Sequence, residues 1–86
     1  MSEANPLAQI YRDFKELSEQ IGIPVREEAT ENMRCGLFVL KGKEQIFINR
    51  ADSFADRVDV MVNALRKKDL SAIFVKPVLR ELLEKG

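Results

Sequence analysis

The sequence predicts a small α+β domain of two layers, in which a small mixed sheet packs against two to three helices. Two apolar runs joined by a glycine-containing turn indicate a β-hairpin. Two stretches with helical spacing of apolar residues follow capping signals, and a third stretch begins at a proline. Together with a short β-rich run before that proline, these features predict the order α-β-β-α-β-α in a single domain over residues 1–86.

The first helix is expected to begin at Asn5-Pro6, because asparagine caps free N–H groups and proline suits the first helical position. Gly22 is expected to end the helix in the left-handed conformation. Residues 23–26 are expected to be extended, as an edge strand or a connector, and residues 27–32 to form a polar surface loop. The apolar stripe of the helix is predicted to contain Leu7, Ile10, Phe14, Leu17 and Ile21.

The hairpin strands are predicted at residues 33–40 and 44–49, on either side of a turn at 41–43. Both runs are almost continuously apolar, which predicts that both faces of the sheet are at least partly covered. Gly36, inside the first strand, predicts a β-bulge or a close approach of the backbone.

The second helix is expected after a cap at Asp52 or Ser53. The three basic residues at its end suit the helix dipole. The run at 72–75 is predicted to be a further strand, and Pro77 to open the last helix. The apolar stripes are predicted to contain Phe54, Val58, Met61, Val62 and Leu65 in the second helix, and Val78, Leu79, Leu82 and Leu83 in the last.

The composition excludes several classes of protein. Fourteen basic and fourteen acidic residues give no net charge, whereas nucleic-acid-binding domains usually carry a basic excess. A single cysteine excludes an internal disulfide, and with it a disulfide-stapled secreted scaffold. The N-terminus does not resemble a signal peptide, and no apolar run approaches the roughly 20 residues that span a bilayer. A soluble cytoplasmic protein without a membrane partner is therefore expected.

Few residues are available for catalysis. The chain has no histidine, so neither a zinc site nor a histidine-activated nucleophile is expected. It also contains no glycine-rich phosphate loop and no calcium-loop pattern. The sequence therefore predicts no catalytic residue, no cofactor and no metal site. Cys35, beside the cationic Arg34, is the one candidate for a reactive thiol, although a cysteine at the start of a strand is more typical of packing.

Basic residues form a second candidate site. Lys41 and Lys43 flank the hairpin turn, and together with Phe38 and Phe47 they could contact single-stranded nucleic acid by stacking, although phenylalanines inside strands usually belong to the core. The candidate residues for this role are Lys41, Lys43, Arg50, Arg66, Lys67 and Lys68.

The sequence carries two resemblances. The strand and hairpin CGLFVLKGKEQIFINR, with the ending DLSAIFVKPVLRELL, resembles small uncharacterised bacterial proteins with a Gly/Cys strand, a hairpin and a helix. This likeness implies no activity. The strand IFIN and the amphipathic helix after it also resemble the core of zincin-type peptidases of the ImmA/IrrE kind. The helix of those peptidases carries H-E-x-x-H, which residues 53–65 lack, so the resemblance implies a shared backbone arrangement without a zinc ligand.

The leading hypothesis is a small non-enzymatic protein-interaction module that associates with itself, most simply as a homodimer. A domain of 86 residues has a thin core, and its apolar strands offer surface that association would bury. The alternatives are weak nucleic-acid binding through the six basic residues and a thiol-based redox role of Cys35.

Overall fold

The computed structural model describes residues 5–29 and 34–85, and it shows the predicted α+β class. The described residues form three helices and three strands. In chain order these are α1 (Pro6–Gln20), β1 (Val25–Glu28), β2 (Gly36–Leu40), β3 (Lys43–Asn49), α2 (Phe54–Leu65) and α3 (Pro77–Lys85). The strands make one mixed sheet in the order β1-β3-β2, with β3 in the centre.

Helix α1 begins and ends where the sequence predicts. The side chain of Asn5 accepts a hydrogen bond from the backbone N–H of Leu7 at 2.9 Å, which caps the first turn. Gly22, with φ +84°, takes the left-handed conformation after the last turn. The prediction that Leu7 is buried is wrong, because Leu7 is 37% exposed and lies at the margin of the buried face. That face contains Ala8, Tyr11, Phe14, Leu17 and Ser18.

Strand β1 is the edge strand that the sequence allowed at residues 23–26, shifted by two residues toward the C-terminus. It runs parallel to β3, with Val25 opposite Ile46 and Glu27 opposite Ile48. The predicted loop at 27–32 is therefore wrong for its first two residues, and residues 30–32 lie outside the described part of the chain. Glu27 can occupy a strand position that faces the helices because the hydroxyl of Tyr11 donates a hydrogen bond to its carboxylate.

Strands β2 and β3 form the predicted hairpin. Their antiparallel register is unbroken from Gly36 opposite Phe47 to Leu40 opposite Lys43. Only two residues, at positions 41 and 42, connect them, with φ +53° and +79°. Positive φ at both positions matches a type I′ turn, whose twist suits paired strands. The predicted start of the first hairpin strand at residue 33 lies outside the described residues, and β2 itself begins at Gly36.

The glycine at the start of β2 has a different role from the one predicted. The register of the hairpin contains no extra residue, so Gly36 makes no bulge. A Cβ atom built on it would meet nothing within 4 Å, so no backbone approaches it closely. Its φ of +132° is a conformation that L side chains rarely adopt, and this explains the glycine.

Helices α2 and α3 also begin at their predicted signals. The Oγ of Ser53 accepts a hydrogen bond from the N–H of Asp56 at 3.1 Å and caps α2, and Pro77 opens α3. The stripe of α2 is confirmed, with Phe54 only half-buried. In α3, Val78 is 41% exposed and does not face inward as predicted. The buried stripe residues are Val58, Met61, Val62 and Leu65 of α2 and Leu79 of α3, while Leu82 and Leu83 are half-buried.

The predicted strand at 72–75 does not form. Residues 71–76 are turns and irregular chain, so the element order is α-β-β-β-α-α and β1 supplies the third strand. Asp69 accepts hydrogen bonds from the N–H and the Oγ of Ser71, which closes a turn just before the run. Pro77 starts α3 just after it, and no described strand lies beside the run to pair with it. Val75 is buried in the core, whereas Phe74 is 78% exposed.

The helices cover only one face of the sheet. Helices α1 and α2 contact the sheet, and α3 packs against α1 and α2. Ile46 and Ile48 of β3 face these helices and are completely buried, whereas Phe47 between them points to the opposite face and is half-buried. In the described part of the chain no helix packs on this opposite face. Phe38, Gln45 and Phe47 on it are half-buried, so the predicted cover is only partial there.

Candidate interaction surface

The side of the sheet on which no described helix packs, here called the open face, combines aromatic and polar side chains. Successive residues of a strand point to opposite sides, and directly opposite residues point to the same side. The pairing of Phe38 with Gln45, and of Leu40 with Lys43, therefore places these residues on the side of Phe47. The open face consists of Arg26 and Glu28 of β1, Phe38 and Leu40 of β2, and Lys43, Gln45 and Phe47 of β3.

Two phenylalanines form the apolar centre of the open face. The rings of Phe38 and Phe47 lie 5.4 Å apart between centroids and are tilted by 48°, a favourable aromatic geometry. The guanidinium of Arg26 lies 6.0 Å from the centroid of Phe47. Arg34, Val39, Leu40 and the two rings line a shallow depression of about 370 Å³. The sequence places these two phenylalanines in the core, but they are half-buried on the open face and contact each other.

One polar atom beside these rings has no hydrogen-bond partner. The Oε1 atom of Gln45 is buried, yet no described group donates to it. A buried acceptor without a donor costs free energy. The open face therefore contains one hydrogen-bond acceptor that no described donor satisfies.

Strand β2 also forms a free edge of the sheet. In a two-residue hairpin the two residues that flank the turn, here Leu40 and Lys43, form a hydrogen-bonded pair. Hydrogen-bonded and non-hydrogen-bonded pairs then alternate along the two strands. Phe38 and Gly36 therefore bond to β3, whereas Leu37 and Val39 turn their N–H and C=O groups outward. The N–H of Ile46, opposite Leu37, accordingly donates to the carbonyl oxygen of Pro24 at 3.0 Å.

The side chains of this edge are apolar and strongly exposed. Val39 is 65% exposed and Leu40 is 43% exposed. None of the five residues of β2 is charged. In the described part of the chain no further strand lies beside β2. Natural sheets usually protect an edge with charges, prolines or bulges, and β2 has none of these.

A groove runs between β2 and α2 on the helix side of the sheet. Its volume is about 430 Å³. Val60 and Ala64 of α2 and Leu37 of β2 supply its apolar wall. Helix α2 is thus set back from the edge, and the space beside Leu37 is open to a side chain from outside. The polar rim consists of Cys35, Asn63, Lys67 and Lys68.

A cluster of ionisable groups ties α1 and α2 to β1. Tyr11 is buried, and its hydroxyl donates to Glu27, while the Nζ of Lys15 lies 3.3 Å from the Oε1 of the same carboxylate. The guanidinium of Arg57 lies 5.5 Å from the centroid of the Tyr11 ring and 4.6 Å from that of Phe54. The cluster fixes the charged strand β1 to the helices.

The pKa shifts in this cluster are those of a stable hydrogen-bonded pair. Burial, followed by the hydrogen bond to Glu27, raises the pKa of Tyr11. Burial alone would raise the pKa of Glu27, but hydrogen bonds from Tyr11 and Lys15 and the charges of Lys15 and Arg57 lower it overall. Both shifts lead away from neutral pH, whereas proton transfer in catalysis is fastest for groups with a pKa near the working pH.

Cys35, the candidate reactive thiol, lies half-buried before β2. Its Sγ is 3.9 Å from the Oδ2 of Asp52, to which it donates a weak hydrogen bond. Reactive cysteines typically lie beside cations, and the group nearest in this contact is a carboxylate. The redox hypothesis for Cys35 stays a prediction.

The six basic candidates do not converge on one site. Lys43 begins β3 and Arg50 follows its other end, which separates them by roughly 23 Å along the strand. Lys43 lies on the open face, whereas Lys68 pairs with Glu44 on the helix side. Lys67 lines the groove, and Arg66 ends α2 at a second depression. Lys41 lies in the hairpin turn.

Neither a metal cluster nor a membrane-spanning helix occurs in the described parts of the chain. Within residues 5–29 and 34–85, no three Cys, Asp or Glu residues are arranged to hold a metal ion. None of the helices formed there has the length and apolar character needed to cross a membrane.

A signal for the open face is present in the sequence. From Gln45 to Asn49 the polar residues Gln45 and Asn49 alternate with the apolar residues Ile46 and Ile48, and a period of two is typical of a strand with one solvated face. Phe47 lies on the same side of the strand as the two polar residues, which indicates that it points away from the core. The comparison of this chain with protein-family models, curated proteins and solved structures finds no match.

Proposed function

We propose that this protein is a small interaction module that acts by binding rather than by catalysis, and that it associates with itself as a homodimer. The observation that carries the proposal is the uncharged apolar edge strand β2 beside a half-buried pair of phenylalanines. With its free thiol, Cys35, the chain suits a reducing compartment such as the cytoplasm.

Backbone chemistry supports the proposal. Outward N–H and C=O groups on an edge strand are a template for pairing with another chain. The exposed apolar side chains of Val39 and Leu40 add surface whose burial favours association. A domain with a one-sided sheet has little core of its own, so an interface adds buried apolar area that the fold cannot supply.

Sedimentation equilibrium over micromolar concentrations tests the proposal. The wild-type chain is expected to form a dimer that dissociates on dilution. Val39→Lys is expected to weaken the dimer by at least about 100-fold, or about 2.8 kcal/mol, because each interface would bury two ammonium groups and the carboxylate opposite each of them, Glu44, already pairs with Lys68. Val78→Lys, at an exposed valine of α3, is the matched control and should leave the dimer intact.

Two results would contradict this proposal. A wild-type chain that stays monomeric at all these concentrations removes self-association. Equal weakening by Val39→Lys and Val78→Lys shows that the interface does not involve β2.

Nucleic-acid binding and the thiol role of Cys35 stay predictions. The first would use Lys43 and the two phenylalanines of the open face, with Lys41 in the adjacent turn. Lys68 pairs with Glu44 on the helix side, and Arg50 lies beyond the far end of β3. It predicts binding to a single-stranded oligonucleotide that falls steeply with salt.

A further inference from the structure

We propose that two copies of the chain pair their β2 strands antiparallel, with a two-fold axis through Phe38, into one continuous six-stranded sheet. This inference rests on the proposed self-association and specifies its geometry. Each copy contributes the same surface to the contact, as in an isologous interface, so assembly closes at two copies.

The hydrogen-bond pattern of β2 fixes the register. Leu37 and Val39 turn their backbone groups outward, so these residues can form the bonded pairs across the new seam. Pairing Leu37 with Val39 of the second copy, and Val39 with Leu37, makes four N–H···O=C bonds. Phe38 then faces Phe38 of the second copy as a non-bonded pair.

This register pairs strand residues only with strand residues. Gly36 lies opposite Leu40 of the second copy, so all five residues of β2 are used. A two-fold axis at Leu37 or at Val39 would leave one end of β2 opposite residues outside the strand, at Arg34 or at the hairpin turn. The Phe38-centred register also places no charged residue opposite another.

The helix side of the seam brings complementary shapes together. Val39 of the second copy points to the same side as its partner Leu37, which lines the groove beside α2. The exposed valine therefore enters the space that Val60 and Ala64 leave open. The two-fold axis repeats the contact, so each copy supplies one projecting valine and one groove.

The open-face side of the seam is aromatic. In a non-bonded antiparallel pair the Cα atoms lie about 4.5 Å apart and the side chains are close. The two Phe38 rings are thus neighbours across the axis, and each already contacts Phe47 of its own copy. Four phenylalanines form one continuous cluster in the joined sheet.

Disulfide trapping tests the register. Phe38→Cys in a Cys35→Ser background leaves one thiol per copy, directly across the axis. With oxidised glutathione as the oxidant, this variant should form a covalent dimer at least about tenfold faster than Val78→Cys in the same background, because pairing raises the effective thiol concentration from micromolar to millimolar. Val39→Cys, whose two thiols are offset by two residues along the strands, should be slower than Phe38→Cys.

Hydrogen exchange on the wild-type chain tests the same register without any substitution. The amides of Leu37 and Val39 should be protected in the dimer and exchange rapidly on dilution. The amides of Phe38 and Leu40, which bond to β3, should be protected under both conditions.

The outcomes separate this inference from the proposed function. A dimer in which Val39→Cys, or the α3 control, cross-links as fast as Phe38→Cys overturns the register. A dimer that leaves Leu37 and Val39 unprotected overturns pairing through β2 and keeps self-association. A chain that is monomeric throughout removes both proposals.

Discussion

The two edges of the sheet are built in opposite ways. Three of the four residues of β1 are charged, and Arg26 and Glu28 approach each other at 3.8 Å. Strand β2, on the other edge, has no charge in five residues. Charged residues make up 33% of the chain, so an uncharged edge does not follow from composition. Charged side chains therefore line one edge of the sheet, whereas no described residue protects the other edge in this way.

The largest effect on assembly is expected from removing the two open-face charges of β1, because both edges of the sheet could then pair with another chain. The double substitution Arg26→Val and Glu28→Val is expected to convert a closed dimer into growing assemblies, since each dimer would then expose an apolar strand at both ends. Light scattering that rises with time would show this.

The matched control keeps the charges of β1. Arg26→Lys together with Glu28→Asp should give the same dimer as the wild type. If the apolar double variant also remains a dimer of constant mass, then charge is not what closes this edge.

A smaller effect is expected from the contact that anchors β1. Tyr11→Phe removes the hydroxyl that donates to Glu27 and should lower the free energy of unfolding by about 1–2 kcal/mol, because the acceptor is ionised and partly buried. Chemical denaturation of the monomer would measure this loss. The dimer affinity should stay the same, since Tyr11 is remote from β2, and a change in affinity would link the two edges.

The smallest expected effect is on how the stability of the fold depends on pH. The pKa of Glu27 is lowered in the folded chain, so its contribution to stability is complete above the unfolded value of about 4.3 and is lost as pH falls through the folded value. Glu27→Gln removes this contribution at every pH. The melting temperature of the wild type should therefore approach that of Glu27→Gln as the medium is acidified, and parallel curves would contradict the lowered pKa.

Local signals allowed the helices and the hairpin to be predicted. Asn5, Ser53, Pro77 and Gly42 act on their own neighbours, so the sequence identifies their roles without knowledge of the fold. The third strand could not be chosen this way. The runs near residue 25 and at 72–75 are both short and β-prone, and the pairing partner decides between them. Segment 25–28 pairs with β3, and Tyr11 donates a hydrogen bond to its Glu27. Segment 72–75 lies between a turn and the start of a helix.

The surface was harder to predict than the fold. Continuous apolar runs in both hairpin strands are expected of a sheet covered on both faces. The number of helices that reach the sheet decides whether the second face is covered, and this depends on packing between distant segments. The pattern therefore places Phe38 and Phe47 in the core, and only the chemistry of Cys35 and the lysines marks candidate surface sites. Val39, the most exposed residue of β2, carries no local signal of its own.

Gly36 and the turn at Lys41-Gly42 bound the open edge on both sides, since each requires a positive φ that ends regular extended chain. Strand β2 can therefore offer only five residues to another strand. A contact this short favours rapid subunit exchange over permanent association. The local abundance of the chain would then govern how much of it is paired at any moment.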